Sequence, residues 1–140
     1  MIRNSMLFAL SLSLLLLVGC DGNVRLKGKV IFSDDNSPVP TGTVNFKTDK
    51  YQARGSLNPD GTFAVGSKGN TDGLPAGTYQ VYFSNTYEVV GKCELGIDVY
   101  GSLIDEKYAN YETSDITIEV TPSKKYVEFV VDRNKRTAKK

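Results

Sequence analysis

The 140-residue sequence contains no histidine, no tryptophan and only two cysteines. Each absence removes a class of function. Without imidazole there is no Ser-His-Asp or Cys-His nucleophile, no histidine general base and no histidine metal ligand. Two cysteines cannot build a disulfide framework. An excess of one charge is missing too: 17 Lys and Arg stand against 16 Asp and Glu. A balanced chain has no general attraction for nucleic acid, and no nucleic-acid partner is expected. Gly66, Gly69 and Gly73 are not in phosphate-loop order and no Gly-Lys-Ser/Thr follows them. No cofactor and, without histidine or an EF-hand spacing, no metal is expected.

Long apolar runs are also scarce. The one present, Met6 to Val18, follows Arg3 and is interrupted only by Ser11 and Ser13. It has the shape of a secretory signal and falls short of the roughly 20 apolar residues of a spanning helix. Leu17-Val18-Gly19-Cys20 closes it. That tetrad resembles the bacterial lipobox, in which the cysteine is acylated and becomes the first residue of the mature chain. The resemblance implies a signal segment over 1–19, cleavage after Gly19, a lipid on Cys20 and a tether over 20–24. It places an exported protein at the cell membrane or outer membrane, with the membrane itself as a partner. Each buried CH₂ contributes about 0.8 kcal/mol, and a single acyl chain holds only marginally. Cys93 is expected as a small, half-buried hydrophobe, with a Cys20–Cys93 disulfide as the alternative.

About 120 residues remain, enough to bury roughly 65% of the surface the unfolded chain exposes. The pattern over them alternates. Tyr79, Val81 and Phe83 fall on one face of a strand, and Thr78, Gln80 and Tyr82 on the other. Strands are likewise predicted from Arg25 to Phe32, over Thr43 to Lys47, Tyr51 to Leu57, Thr62 to Val65, Ile116 to Val120 and Tyr126 to Val130. Asn58-Pro59-Asp60-Gly61 predicts a turn with Gly61 at positive φ and, around it, a hairpin of the third and fourth strands. Ser33 to Pro40 is dense in turn formers and lacks the spacing of an EF-hand loop. The stretch 86–103 holds apolar residues without a clean period, and Ile104 to Ser114 reads as a long ordered connection. Residues 133–140 carry five basic residues and read as a solvated tail.

About seven short strands without a long helix predict an all-β sandwich over 25–132. The expected core is Val30, Phe32, Val44, Phe46, Phe63, Val65, Tyr79, Val81, Phe83, Ile118, Val120, Val127 and Phe129.

Three segments carry a family likeness. Gly28-Lys29-Val30-Ile31-Phe32 with Ser37-Pro38-Val39-Pro40 and Gly42-Thr43-Val44-Asn45-Phe46 is the first. Asn58-Pro59-Asp60-Gly61-Thr62-Phe63 and Gly73-Leu74-Pro75-Ala76-Gly77-Thr78-Tyr79-Gln80-Val81 are the others. In this order they resemble the carboxypeptidase regulatory-like, transthyretin-related domains, and more narrowly small lipoproteins of planctomycete-type bacteria. The resemblance implies a transthyretin-like Greek-key sandwich without a catalytic set. The histidines of the hydroxyisourate hydrolases of that fold are absent here.

The expected function is a non-enzymatic, lipid-anchored envelope module that binds or supports another protein. The alternative is a carbohydrate-binding module using exposed tyrosines, with Tyr82, Tyr108 and Tyr111 as candidate ligand-binding residues and Tyr87 and Tyr100 beside them. A two-carboxylate glycosidase would need Asp105 or Glu106 across a cleft from a second acid.

Overall fold

Nine strands and one short 3₁₀ helix are seen in a computed structural model, which describes residues 22–67 and 71–136. The strands are β1 (Lys27–Phe32), β2 (Thr43–Lys47), β3 (Gln52–Ser56), β4 (Thr62–Ala64), β5 (Gly77–Ser84), β6 (Tyr87–Lys92), β7 (Asp98–Ser102), β8 (Ile116–Val120) and β9 (Tyr126–Val131). The 3₁₀ helix covers Glu106–Ala109. The expectations for Gly19 and Cys20 lie outside the described residues.

Seven strands form two sheets, ordered β4-β1-β9 and β3-β2-β5-β8. Their inner faces share one core in a β-sandwich-like arrangement. Phe46 of β2 lies 6.0 Å from Phe129 of β9 and 6.2 Å from Phe63 of β4, centroid to centroid. Burying each such side chain contributes about 1.5–3 kcal/mol. Of the expected core, all but Val127 are buried, and Val127 packs against the cluster from its edge. On β5, Tyr79, Val81 and Phe83 point inward as the alternation requires. Val24, Leu26, Val39, Leu57, Leu74, Leu103, Ile104 and Tyr108 complete the core from outside the strands.

The third and fourth strands do not make the expected hairpin. The turn is formed, with Gly61 at φ +79° and its amide donating to Asn58 O at 2.8 Å. The chain then changes sheets: β3 pairs with β2, and β4 with β1. The turn is docked on β1, where the Val30 amide donates to Gly61 O at 2.9 Å. That contact draws β4 across the core; beyond the turn's own Asn58 N–H to Thr62 O bond, the bridge Arg54–Gly66 joins the segments on either side of it. The last two strands also part: β8 pairs with β5, and β9 runs parallel to β1.

The packed unit is longer at both ends than the sequence pattern indicates. Val24, assigned to the tether, is buried and exchanges backbone hydrogen bonds with Leu74. Arg133, assigned to the solvated tail, pairs with Ile104, and Asn134 is buried. Arg133 is held because its guanidinium lies 3.7 Å over the Phe32 ring while Nε donates to Asp34 Oδ2 at 2.9 Å.

Candidate functional site

Among the described residues, strands β6 and β7 pair only with each other. The pattern over 86–103 is unclear in the sequence because this ribbon has no buried face. None of residues 87–102 belongs to the core, whose next members are Leu103 and Ile104 at the ribbon's base. Among the described residues, eight large hydrophobic side chains are exposed, and six lie here: Tyr87, Val89, Leu95, Ile97, Val99 and Tyr100. A bulge between Val89 and Gly91 breaks the two-residue period. The turn is closed by Cys93 N–H to Ile97 O at 2.9 Å and Gly96 N–H to Cys93 O at 2.8 Å. Cys93 is therefore exposed at the tip, which corrects the half-buried expectation.

This arm rises from a defined end of the sandwich. Its base is tied by Leu103 N–H to Thr86 O, Asn134 N–H to Leu103 O and Asp105 N–H to Asp132 O, beyond the C-terminal ends of β1 and β9. The chain enters at the other end of the same strands, where Val24 meets Leu74 and Lys27 pairs with Tyr126. Six residues of strand, about 20 Å, separate the two ends.

Charge is concentrated at the arm's end. Asp35 accepts from the Ser37 hydroxyl at 2.6 Å and the Ser37 amide at 2.9 Å. These bonds, with Asp34 and Arg133 alongside, hold its carboxyl down at about 2. Asp132 accepts from the Ser33 hydroxyl at 2.7 Å, from the Tyr108 hydroxyl at 3.1 Å and from Lys107 Nζ at 3.4 Å, which lowers its pKa in the same way. Asp105 caps the 3₁₀ helix, accepting from the Lys107 amide at 3.0 Å. These acids are engaged in ties between loops. Among the described residues no cluster of His, Cys, Asp and Glu could hold a metal ion.

The three candidate tyrosines are not one surface. Tyr108 is buried, edge-on to Phe83 at 6.5 Å, and burial raises its hydroxyl pKa. It cannot offer a ring face to a ligand. Tyr82 and Tyr111 do meet, edge to face at 6.3 Å, on the outer side of the four-stranded sheet. Local groups occupy them: Gln52 Nε2 donates to the Tyr82 hydroxyl at 3.1 Å, and Lys47 Nζ stands 4.5 Å from the Tyr111 ring centroid. Gln80 Nε2 fixes that loop, donating to Tyr111 O at 2.5 Å and Ser114 O at 2.7 Å.

Among the described residues the exposed tyrosines are instead Tyr87 and Tyr100 of the arm and Tyr126 at the start of β9. The register pairs Val89 with Tyr100 and Tyr87 with Ser102, so Tyr87 and Tyr100 share one face of the ribbon. They line a cleft of about 430 Å³ together with Val90, Glu106 and Arg136. A second hollow of about 200 Å³ adjoins it and shares Glu106 and Arg136. Sequence reasoning names both tyrosines but not this grouping, because Glu106 and Arg136 are distant from them in the chain.

No protein-family model matches the sequence, and no curated protein matches it. The fold is similar to that of BcpA, the major pilin subunit of Bacillus cereus. A single-substitution form of it aligns with TM-score 0.50 and 13% identity over 81% of this chain and 30% of the pilin. The unsubstituted pilin aligns at 0.45 with 12% identity, over 79% of this chain and 29% of its own. The chain thus spans less than a third of the pilin. At this identity the likeness is one of fold alone.

Proposed function

We propose that this protein is a non-enzymatic, lipid-anchored cell-envelope module that presents the β6–β7 arm to another envelope protein. The observation that carries this is the arm: six exposed apolar side chains on a ribbon that packs against no core. A lone two-stranded hairpin is marginally stable in water, and its open edges invite pairing. Exposed apolar patches of this kind mark interaction sites.

The anchor follows from the Leu17-Val18-Gly19-Cys20 tetrad. Three residues separate Cys20 from Val24, and the four steps between them span at most about 14 Å. A lipid there holds the Val24 end to the membrane, and the arm's base stands at the far end. That favours a partner in the aqueous phase over the anchoring bilayer. The order of the Gly28, Asn58 and Gly73 segments supports a transthyretin-related Greek-key relationship. A pilin subunit of like fold is compatible with a structural role.

The native thiol tests this. Cys93 at the tip takes a thiol-directed photo-crosslinker in intact cells. The expected result is one saturable adduct, lost in a Leu95→Ser/Ile97→Ser variant and not formed from Asn23→Cys in a Cys93→Ser background. An adduct of two copies of this chain reassigns the arm to self-association. No adduct, or one indifferent to the tip substitutions, overturns the proposal.

A further inference from the structure

We infer that the cleft between the arm and the 3₁₀ helix binds an uncharged saccharide. This goes beyond the docking role of the arm's tip and does not depend on the lipid anchor.

The first ground is shape. A space of about 430 Å³ continuing into about 200 Å³ lies in the size range of small-ligand sites.

The second ground is the pairing of surfaces. A pyranose has an apolar face of C–H groups and a polar rim of hydroxyls. Tyr87 and Tyr100, 54% and 62% exposed, supply flat apolar faces with a polar tip on one side. Their neighbour Val90 extends the apolar wall. Glu106 and Arg136 supply the rim: a carboxylate that accepts from hydroxyls and a guanidinium that donates to them in a fixed plane.

The third ground is that these polar groups are uncommitted. Among the described residues, the side chains of Glu106 and Arg136 form no ion pair or hydrogen bond, although both line the one cleft. The neighbouring charges behave differently: Asp34, Asp35, Lys107, Asp132 and Arg133 all pair with one another. Over the two hollows the lining charges balance, Asp105 and Glu106 against Lys135 and Arg136, which favours a neutral ligand over an anionic or cationic one. Tyr82, Tyr108 and Tyr111 lack this combination, since Tyr108 is buried and the other two are held by Gln52 and Lys47.

The test uses the full-length protein in detergent micelles with three probes: cellotriose, maltotriose and the trimer of N-acetylglucosamine. Saturation-transfer NMR reads contact from tyrosine ring protons to sugar protons. At least one probe is expected to bind at about millimolar strength. Tyr100→Ala and Glu106→Gln should each weaken it about tenfold or more, while Tyr82→Ala leaves it unchanged. Tyr100 and Glu106 are exposed, so both variants keep the fold, and the unchanged amide spectrum of the core shows it. No binding of any probe at concentrations on the order of 10 mM overturns the inference. So does binding that Tyr100→Ala and Glu106→Gln leave intact, or that Tyr82→Ala abolishes. Saccharide binding without a Cys93 adduct separates this site from the docking role of the arm.

Discussion

The ring of Phe63 stacks on that of Phe129, with centroids 6.1 Å apart and planes 11° apart, although their strands β4 and β9 are not neighbours. They flank β1 on either side and meet above Gly28, which is in register with Phe63 and with Val127. A Cβ on Gly28 would stand 2.6 Å from Phe63 Cζ and 2.2 Å from the Val127 carbonyl oxygen. The missing side chain is what lets the aromatic layer close.

Gly28→Ala should therefore destabilise the protein by about 1–3 kcal/mol, the range for overpacking a core. Phe129→Ala should cost about 3–5 kcal/mol, because Phe46, Phe63 and Phe83 all lean on that ring. Urea unfolding followed by tyrosine fluorescence measures both. A Gly28→Ala protein as stable as the parent would show that β1 and β9 part without cost to admit the methyl group.

The arm should open on its own. Amide hydrogen exchange is expected to be fast at Val89 and Val99, and slow at Val30 and Val81, which exchange only through global unfolding. Leu95→Ser and Ile97→Ser should alter stability by no more than about 0.5 kcal/mol, as for surface positions. Equal protection across arm and core would mean that the arm is packed against something in the isolated protein.

Asp35 should titrate low. Its carboxyl is held at about 2, against 3.8 for the free group, first by the Ser37 hydroxyl and amide. A carboxylate depressed in the folded state adds stability that is present above the unfolded value and is lost as pH falls through the folded one. The loop tie between Asp34, Asp35, Ser37 and Arg133 is thus expected to weaken from about pH 4 downward to about pH 2. Ser37→Ala should raise the Asp35 midpoint toward 3.8 and shift part of that loss to higher pH, as carboxyl-carbon NMR would record. An unchanged midpoint in the variant would assign the depression to Arg133 instead.

Mass spectrometry of the membrane-extracted protein addresses the anchor. The expected mature species begins at an acylated Cys20, and Cys20→Ala should abolish both the modification and the membrane association. An unmodified chain in the soluble fraction would remove the lipid anchor and leave the sandwich and its cleft.

The strand segments and the inward faces were legible because they are local. Successive side chains alternate across a strand, so Tyr79-Gln80-Val81-Tyr82-Phe83 states its own buried face without reference to any partner. The turn at Asn58-Pro59-Asp60-Gly61 is local for the same reason, since Pro59 restricts φ and Gly61 admits a positive one. Strand pairing is not local. Nothing in Thr62-Phe63-Ala64 tells it to join β1 rather than β3; the hydrogen bond from Val30 to Gly61 and the space above Gly28 decide it. Only the tertiary structure likewise separates the tyrosines. Tyr108 goes inward because Phe83 and Asp132 receive its ring and hydroxyl, and Tyr100 stays outside because β7 has no sheet beneath it. Glu106 and Arg136 come to line one cleft with Tyr87 and Tyr100 because Ile104 pairs with Arg133 and carries both segments to the arm's base. By itself the sequence determined which residues seek burial; the pairing of distant strands decided which polar and aromatic groups were left outside together.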